Sequence, residues 1–263
     1  MNFLRDFYDG LLTFEEVVEK KRDLTLFKLS SDFSLMIACD SDGGIGNKEH
    51  DLVKVENWMT GYFGARVALM EILAAKGKPW LLIDTLSVEM DPAGREIIAG
   101  IKKACTEAGY SGLPLTGSTE DNVPTVQTGI GVTVLAIAKN NQLPIGSSQE
   151  GDLVAVAGIP KSGPQFRIEP QDPELISLSD LRRLREMPGV HDLLPVGSKG
   201  VAYEAGELAK SAGLRLRQAQ TDLDLLRSGG PATCVAFSLM SNDVLQMIKK
   251  EIKAPVNFLG ELY

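Results

Sequence analysis

The run Cys39-Asp40-Ser41-Asp42-Gly43-Gly44-Ile45-Gly46-Asn47-Lys48-Glu49-His50-Asp51 constrains this chain more than any other stretch. It follows an apolar hexad, 34–39, that reads as a strand, and it runs into a second short strand at 52–55. The glycines Gly43, Gly44 and Gly46 let the backbone take φ > 0 and approach a ligand closely. Asp40, Asp42, Asp51 and Lys48 share the same stretch. Carboxylates suit Mg²⁺, which wants hard oxygen ligands, and a lysine suits a phosphate. An ordinary Asp/Gly hairpin turn would use the same residue types. The Walker pattern Gly-x-x-x-x-Gly-Lys-Ser/Thr is absent.

Bulk properties narrow the function classes. With 263 residues, 44% of them hydrophobic, the chain can build one large core or two smaller ones. No stretch approaches the roughly 18 consecutive apolar residues of a membrane span. Residues 1–20 are acidic and mixed, unlike a secretory signal. A net charge of −8 argues against nucleic acid as a partner. Cys39, Cys105 and Cys234 are odd in number, far apart and in apolar company, which points to reduced thiols and a cytoplasmic protein. With only His50 and His191, a histidine metal cage is not expected.

Hydrophobic spacing predicts an N-terminal helical appendage over 1–22, with Thr13 and Glu16 as a capping box. Strands are expected at 24–29 and 34–39, then a helix over 61–75 that is apolar nearly all round and therefore buried. Its charges, Arg66 and Glu71, must pair within the core or face a polar site. A strand at 80–85 ends in Asp84, and an amphipathic helix begins near Pro92. The loop 115–122 precedes a β-branched strand at 131–138. The polar, breaker-rich stretch 140–150 divides the chain into 23–145 and 146–263. Beyond it come a strand at 151–158, helices at 179–186 and 204–212, a segment 214–219, a strand at 234–239, a helix at 242–252 and a short tail. Interleaved strands and helices in both halves predict an α/β or mixed α+β fold.

Three features in this order carry a resemblance. The Asp/Gly-Gly-x-Gly-x-Lys run follows the first long strand, Thr116-Gly117-Ser118-Thr119-Glu120 precedes a Gly-Val-Thr-Val strand, and Gly151-Asp152-Leu153-Val154-Ala155-Val156 meets a Lys161-Ser162-Gly163 turn. Together they resemble the PurM-like superfamily of aminoimidazole ribonucleotide synthetase, thiamine-monophosphate kinase and selenophosphate synthetase, over roughly residues 30–240. Within it, the wording of 38–51, Asp84-Thr85-Leu86-Ser87-Val88-Glu89-Met90 and 116–122 looks closest to the α-ribazole kinases of cobalamin salvage. The resemblance implies an N-terminal domain that pairs with its twin in a homodimer, closing a β-barrel from two sheets, beside a C-terminal α/β domain. It also implies ATP and Mg²⁺ as cofactors and a small nucleoside as substrate. Two departures stand out: Ser118 replaces an aspartate of the family's Gly-Gly-Asp-Thr, and Lys199 stands where a second-domain aspartate is usual.

On that reading Asp40 and Asp84 lead as Mg²⁺ ligands, with Asp42, Asp51 and Glu120 as second choices. Lys48 would meet a phosphate, the backbone at Gly43, Gly44 and Gly46 would approach phosphate oxygens, and Ser118, Thr119 and Asn122 would offer polar contacts. Turn chemistry would also account for that second trio. Asp42 or Glu89 would act as catalytic base. A sister synthetase or thiamine-phosphate-type kinase, and a dimeric nucleotide-binding regulator without turnover, are the rival classes.

Overall fold

A computed structural model describes residues 3–163 and 165–263. Two short helices, α1 (Phe3–Tyr8) and α2 (Phe14–Val17), open the chain. The Glu16 carboxylate accepts from the Thr13 N–H at 2.7 Å, as a capping box requires. The helical expectation for 1–22 then fails at Val18, and Met1 and Asn2 of that segment lie outside the described residues. Val18–Lys21 is strand β1, paired antiparallel with β2 (Leu24–Lys28), which in turn pairs with β3 (Phe33–Gly43).

After β3, the two-residue strands β4 (Ile45–Gly46) and β5 (Val53–Lys54) pair in parallel, so the Asp/Gly run is not a hairpin. Then follow α3 (Asn57–Ala74), β6 (Lys78–Leu86), α4 (Arg95–Glu107), β7 (Leu115–Thr119) and β8 (Gly129–Lys139). The first sheet has the order β1-β2-β3-β8-β6-β7 and is open at both edges. A second sheet, order β10-β12-β9-β13-β11, is built from β9 (Leu153–Ala157), β10 (Val190–Pro195), β11 (Leu216–Gln218), β12 (Val235–Leu239) and β13 (Val256–Leu262). Helices α5 (Leu178–Glu186), α6 (Val201–Ser211) and α7 (Asn242–Glu251) belong to this half.

Period-two alternation sets the faces of the first sheet. On β3, Ser34, Met36 and Ala38 are buried, while Leu35, Ile37 and Cys39 point the other way, the first two partly exposed and Cys39 exposed. The inward face packs on α3, whose apolar circumference is used within one chain: β3 and β8 on one side, α4 on another, α5 and β10 on a third. The α3–α4 crossing is close because each helix has a glycine under the other's backbone. A Cβ on Gly61 would lie 2.0 Å from the Ile97 carbonyl oxygen, and one on Gly100 would lie 1.8 Å from that of Trp58.

The charges flagged on α3 have separate fates. Arg66 is buried and donates to the carbonyls of Ile176 and Ala232, in the second half of the chain. Glu71 borders a cleft. A second tie between the halves is Arg22, in the β1–β2 turn at φ 55°, which grips buried Asp192 of β10 at 2.6 and 3.1 Å.

Several boundaries differ from expectation, four of them with consequences for the site or the second sheet. β3 continues to Gly43 because β8 pairs with it all the way to Gly129, so Asp40 and Asp42 are strand residues rather than loop residues. Asp84 is likewise inside β6, which extends to Leu86. The expected loop at 115–119 is the edge strand β7, parallel to β6. The expected tail contains β13, which lies between β9 and β11.

Candidate active site

The strand ends Gly43, Leu86 and Thr119, with the start of β8 at Gly129, lie at one end of the first sheet. The loops leaving that end hold most of the sequence-predicted residues. Asp51 is buried there, and its carboxylate accepts three hydrogen bonds. Oδ1 accepts from the Thr128 N–H at 2.7 Å, and Oδ2 from the Thr128 hydroxyl at 2.7 Å and the Lys48 N–H at 2.8 Å. Asp51 therefore fastens loop 44–51 to β8. Gly46, at φ 157°, must be glycine, since a Cβ would sit 2.4 Å from the Thr128 hydroxyl oxygen.

Lys48 and Glu89 meet in an ion pair at 2.6 Å. The ammonium holds the Glu89 carboxyl below its ordinary value, with a lesser contribution from Thr125. A carboxylate so stabilised is a poor proton acceptor, so the catalytic expectation for Glu89 gives way to a partner role for Lys48. Glu120 accepts from the N–H of Asn122 at 2.8 Å, and Thr119 donates to Asp121 at 2.6 Å. Asp121 in turn accepts from the Met90 N–H at 3.0 Å. These contacts are turn chemistry, and Ser118 is exposed on the edge strand.

Asp40 and Asp42 stand apart from this rim. Both point to the inward side of β3, into a cleft of about 710 Å³ between the first sheet and the loops of the second half. Asp23, Glu71, Glu204 and Glu207 share that cleft, as do Lys20, Arg22 and Lys199. Burial, reinforced by the neighbouring Asp40, pushes Asp42 up to about 6. Burial, with Asp23 nearby, pushes Glu204 up to about 7. Glu71 is also raised well above its ordinary value, by burial and then by Asp23 and Glu204. The opposite wall carries two glycine-bearing turns, 197–200 and 228–231, joined by the Gly229 N–H to the Gly197 carbonyl at 2.9 Å. Lys199 stands at the cleft with its ammonium 3.0 Å from the Tyr203 hydroxyl and over its ring.

Asp84 is not in the cleft. It occupies the same cross-strand row and face as Asp40, but Val132 of β8 stands between them. Two strand spacings separate the pair by roughly 10 Å. Asp84 is buried against Gly117, whose Cβ would lie 1.7 Å from Oδ1, and its Oδ2 has no hydrogen-bond partner. The expected Asp40–Asp84 pairing is thus not formed, and Asp40 instead shares its strand face with Asp42. Among the described residues no three His, Cys, Asp or Glu side chains converge closely enough to hold a metal by themselves.

Of the cleft residues missed by sequence reasoning, Glu204 carried a signal: a carboxylate on the apolar face of α6 beside Val201, Ala205 and Leu208. Asp23 carried none, because only the fold turns the β1–β2 connection toward the cleft.

No family model and no curated relative matches the chain. Solved structures match its shape over nearly its whole length, and what they share with this chain is the fold. Thiamine-monophosphate kinase from Stenotrophomonas maltophilia K279a has 14% identity and a TM-score of 0.62, over 98% of this chain and 92% of that one. AaThiL complexed with AMPPCP and TMP has 15% identity and a TM-score of 0.62, over 98% and 89%. T. maritima PurL complexed with ADP has 16% identity and a TM-score of 0.63, over 94% of this chain and 43% of that one. Among the described residues, no helix is long and apolar enough to cross a membrane.

Proposed function

We propose that this chain is an ATP- and Mg²⁺-dependent kinase of a small hydroxyl-bearing molecule, and that the acceptor is α-ribazole, phosphorylated on its ribose 5-hydroxyl. The observation that carries the reading is the Asp40–Asp42 pair on the cleft wall. The nucleotide complexes among the structural neighbours support an ATP-using reaction.

The donor set fits Mg²⁺. Two adjacent carboxylates without a cationic partner repel one another, and Asp42 registers that repulsion. Mg²⁺ is commonly held by one or two carboxylates, with substrate phosphates and water completing its shell. Asp40 would hold it, leaving Asp42 beside it free, and its charge would let a triphosphate enter a cleft with six carboxylates. When bound it neutralises charge on the transferred phosphoryl group. The protein's own part is positioning and proton transfer. Asp42, about 6 in the free protein, accepts the acceptor hydroxyl's proton as that oxygen attacks the γ-phosphorus and ADP departs. Lys199 and the 197–200 and 228–231 turns face the phosphates from the other wall.

In this reading residues 23–145 form the ATP-binding and dimerisation domain and 146–263 the C-terminal domain. The uncovered outer face of the first sheet, with Leu35, Ile37, Ile83, Leu135 and Ile137 partly exposed and Trp80 exposed, packs against its copy in a homodimer. A nucleotide-binding regulator is the second reading, favoured by a lysine at 199 and a serine at 118. Purified protein with Mg·ATP should form ADP in step with phosphorylated α-ribazole. ADP formed without regard to α-ribazole would overturn the substrate, and ATP binding without turnover would favour the regulator. Light scattering that returned a single-chain mass would overturn the dimer.

A further inference from the structure

Arg66 sits in the middle of α3 with 1% of its surface exposed, and it directs its donors at backbone carbonyls instead of a carboxylate. Nε and Nη2 both donate to the Ala232 carbonyl, at 3.3 and 3.0 Å, and Nη2 also meets the Ile176 carbonyl. Arg66 further meets the Tyr62 hydroxyl, which donates to Glu107 of α4. The other Glu107 oxygen accepts from the Leu178 N–H, at the start of α5, at 3.0 Å. A guanidinium enclosed in this way has lost its water, and these groups replace it.

The carbonyl that receives two of these bonds belongs to a strained residue. Ala232 has φ 50°, in the left-handed region that is unfavourable for a residue with a Cβ. It lines the acidic cleft, together with Ser228, Gly230 and Pro231 of the turn before it. That turn hangs on Ala232 and its successor. The Ala232 N–H donates to the Gly230 carbonyl at 2.8 Å, and the Thr233 N–H donates to the Gly229 carbonyl at 2.9 Å. The direction of the Ala232 carbonyl therefore sets how the turn faces the cleft. Within the turn the Ser228 hydroxyl accepts from the Gly230 N–H at 3.0 Å and keeps its own proton for an incoming oxygen.

We propose that Arg66 is a positioning residue for the nucleotide: from beneath the cleft wall it holds Ala232 in its left-handed conformation and so aims the 228–231 turn, with the Ser228 hydroxyl, at the phosphates. The proposal rests on the kinase reading above, in which this turn faces the triphosphate. Two donors of one planar fork fix the direction of a carbonyl, which the single ammonium of a lysine cannot do. A tie that only docked the two halves would serve as well from any carbonyl; this one takes the carbonyl of the left-handed, non-glycine residue of the wall.

Titration calorimetry of the full chain with Mg·AMPPCP, a non-hydrolysable ATP analogue, tests it, beside ADP formation at saturating α-ribazole. In Arg66→Met and Arg66→Lys the analogue is expected to bind threefold or more weakly, with a matching rise in KM for Mg·ATP and kcat within threefold of the parent. In an Ala232→Gly background, where the left-handed backbone meets no steric cost, the fold-loss should be less than half as large. A folded variant that loses less than threefold, or a loss undiminished by Ala232→Gly, would overturn the proposal. A tie that merely docks the halves lowers the melting temperature and leaves the affinity of the folded molecules alone. If neither variant folds, hydrogen exchange of the parent decides. Mg·AMPPCP should slow the amides between Ser228 and Thr233 tenfold or more, and unprotected amides there would overturn it. A parent that binds the analogue but forms no ADP fails the kinase reading alone.

Discussion

Replacing Asp42 by Asn separates the chemistry of the cleft from the stability of the fold. In the folded protein the Asp42 carboxyl lies at about 6 instead of 3.8, because burial and the neighbouring Asp40 disfavour its charge. A folded state that holds the proton more tightly than the unfolded state loses stability as pH rises. The penalty is absent well below 3.8, grows through the interval up to about 6, and is complete above it. At 1.36 kcal/mol per tenfold change in affinity, it comes to about 3 kcal/mol at pH 7.5 and about 1 kcal/mol at pH 4.5. Asn is neutral throughout and close to isosteric. Urea unfolding followed by the fluorescence of Trp58 and Trp80 should therefore find Asp42→Asn more stable than the parent by about 3 kcal/mol at pH 7.5, with only about a third of that gain at pH 4.5. ADP formation by the same variant should drop by about 10²–10⁴-fold, the range of a lost general base. A variant no more stable than the parent at pH 7.5, or a gain as large at pH 4.5, would refute the electrostatic account of the cleft. Undiminished turnover would remove Asp42 from the reaction.

Three further outcomes follow from the geometry. Asp51→Ala removes three charge-assisted hydrogen bonds and strands the buried Thr128 N–H, so it should cost about 3 kcal/mol or more by urea unfolding. Arg22→Met leaves Asp192 charged and fully buried, a loss of about 3–5 kcal/mol, and adding Asp192→Leu should recover much of it. Gly100→Ala forces the α3–α4 crossing apart and should cost about 1–3 kcal/mol, whereas Gly206→Ala, in α6 with nothing within 4 Å, should gain about 0.5–1 kcal/mol in the same thermal melts.

The legible parts of the sequence were those set by local periodicity. The all-apolar face of α3, the amphipathic α4 and the β-branched β8 declare themselves within a dozen residues each. What eluded local reading depended on distant partners. β10 contains His191-Asp192, a polar pair at the irregularity near its start, where Arg22, far away in sequence, pairs with Asp192. β13 looks like a tail until β9 and β11 take it between them. The site divides the same way. Asp40 and Asp42 were visible as carboxylates in the run after a strand, and the continuation of β3 to Gly43 puts them on one face, where they share a cleft. The union of Asp84 with Asp40 was inferred from each ending a strand. Both strands run on, which leaves Val132 between them. Glu71 was rightly singled out as a charge on an apolar helix, but Asp23 and Glu204, which complete the acidic wall, enter only once the two halves are docked.

The place of β13 bears on how such a chain comes off the ribosome. Translation delivers β9 about a hundred residues before the strand that will lie along its open side. Until 256–262 emerge, β9 presents bare amides and carbonyls to whatever passes, and β11 has no strand to hold it. A nascent polypeptide halted near residue 255 would be a sticky intermediate rather than a slightly shortened protein, and its second half would need shielding for as long as the halt lasted.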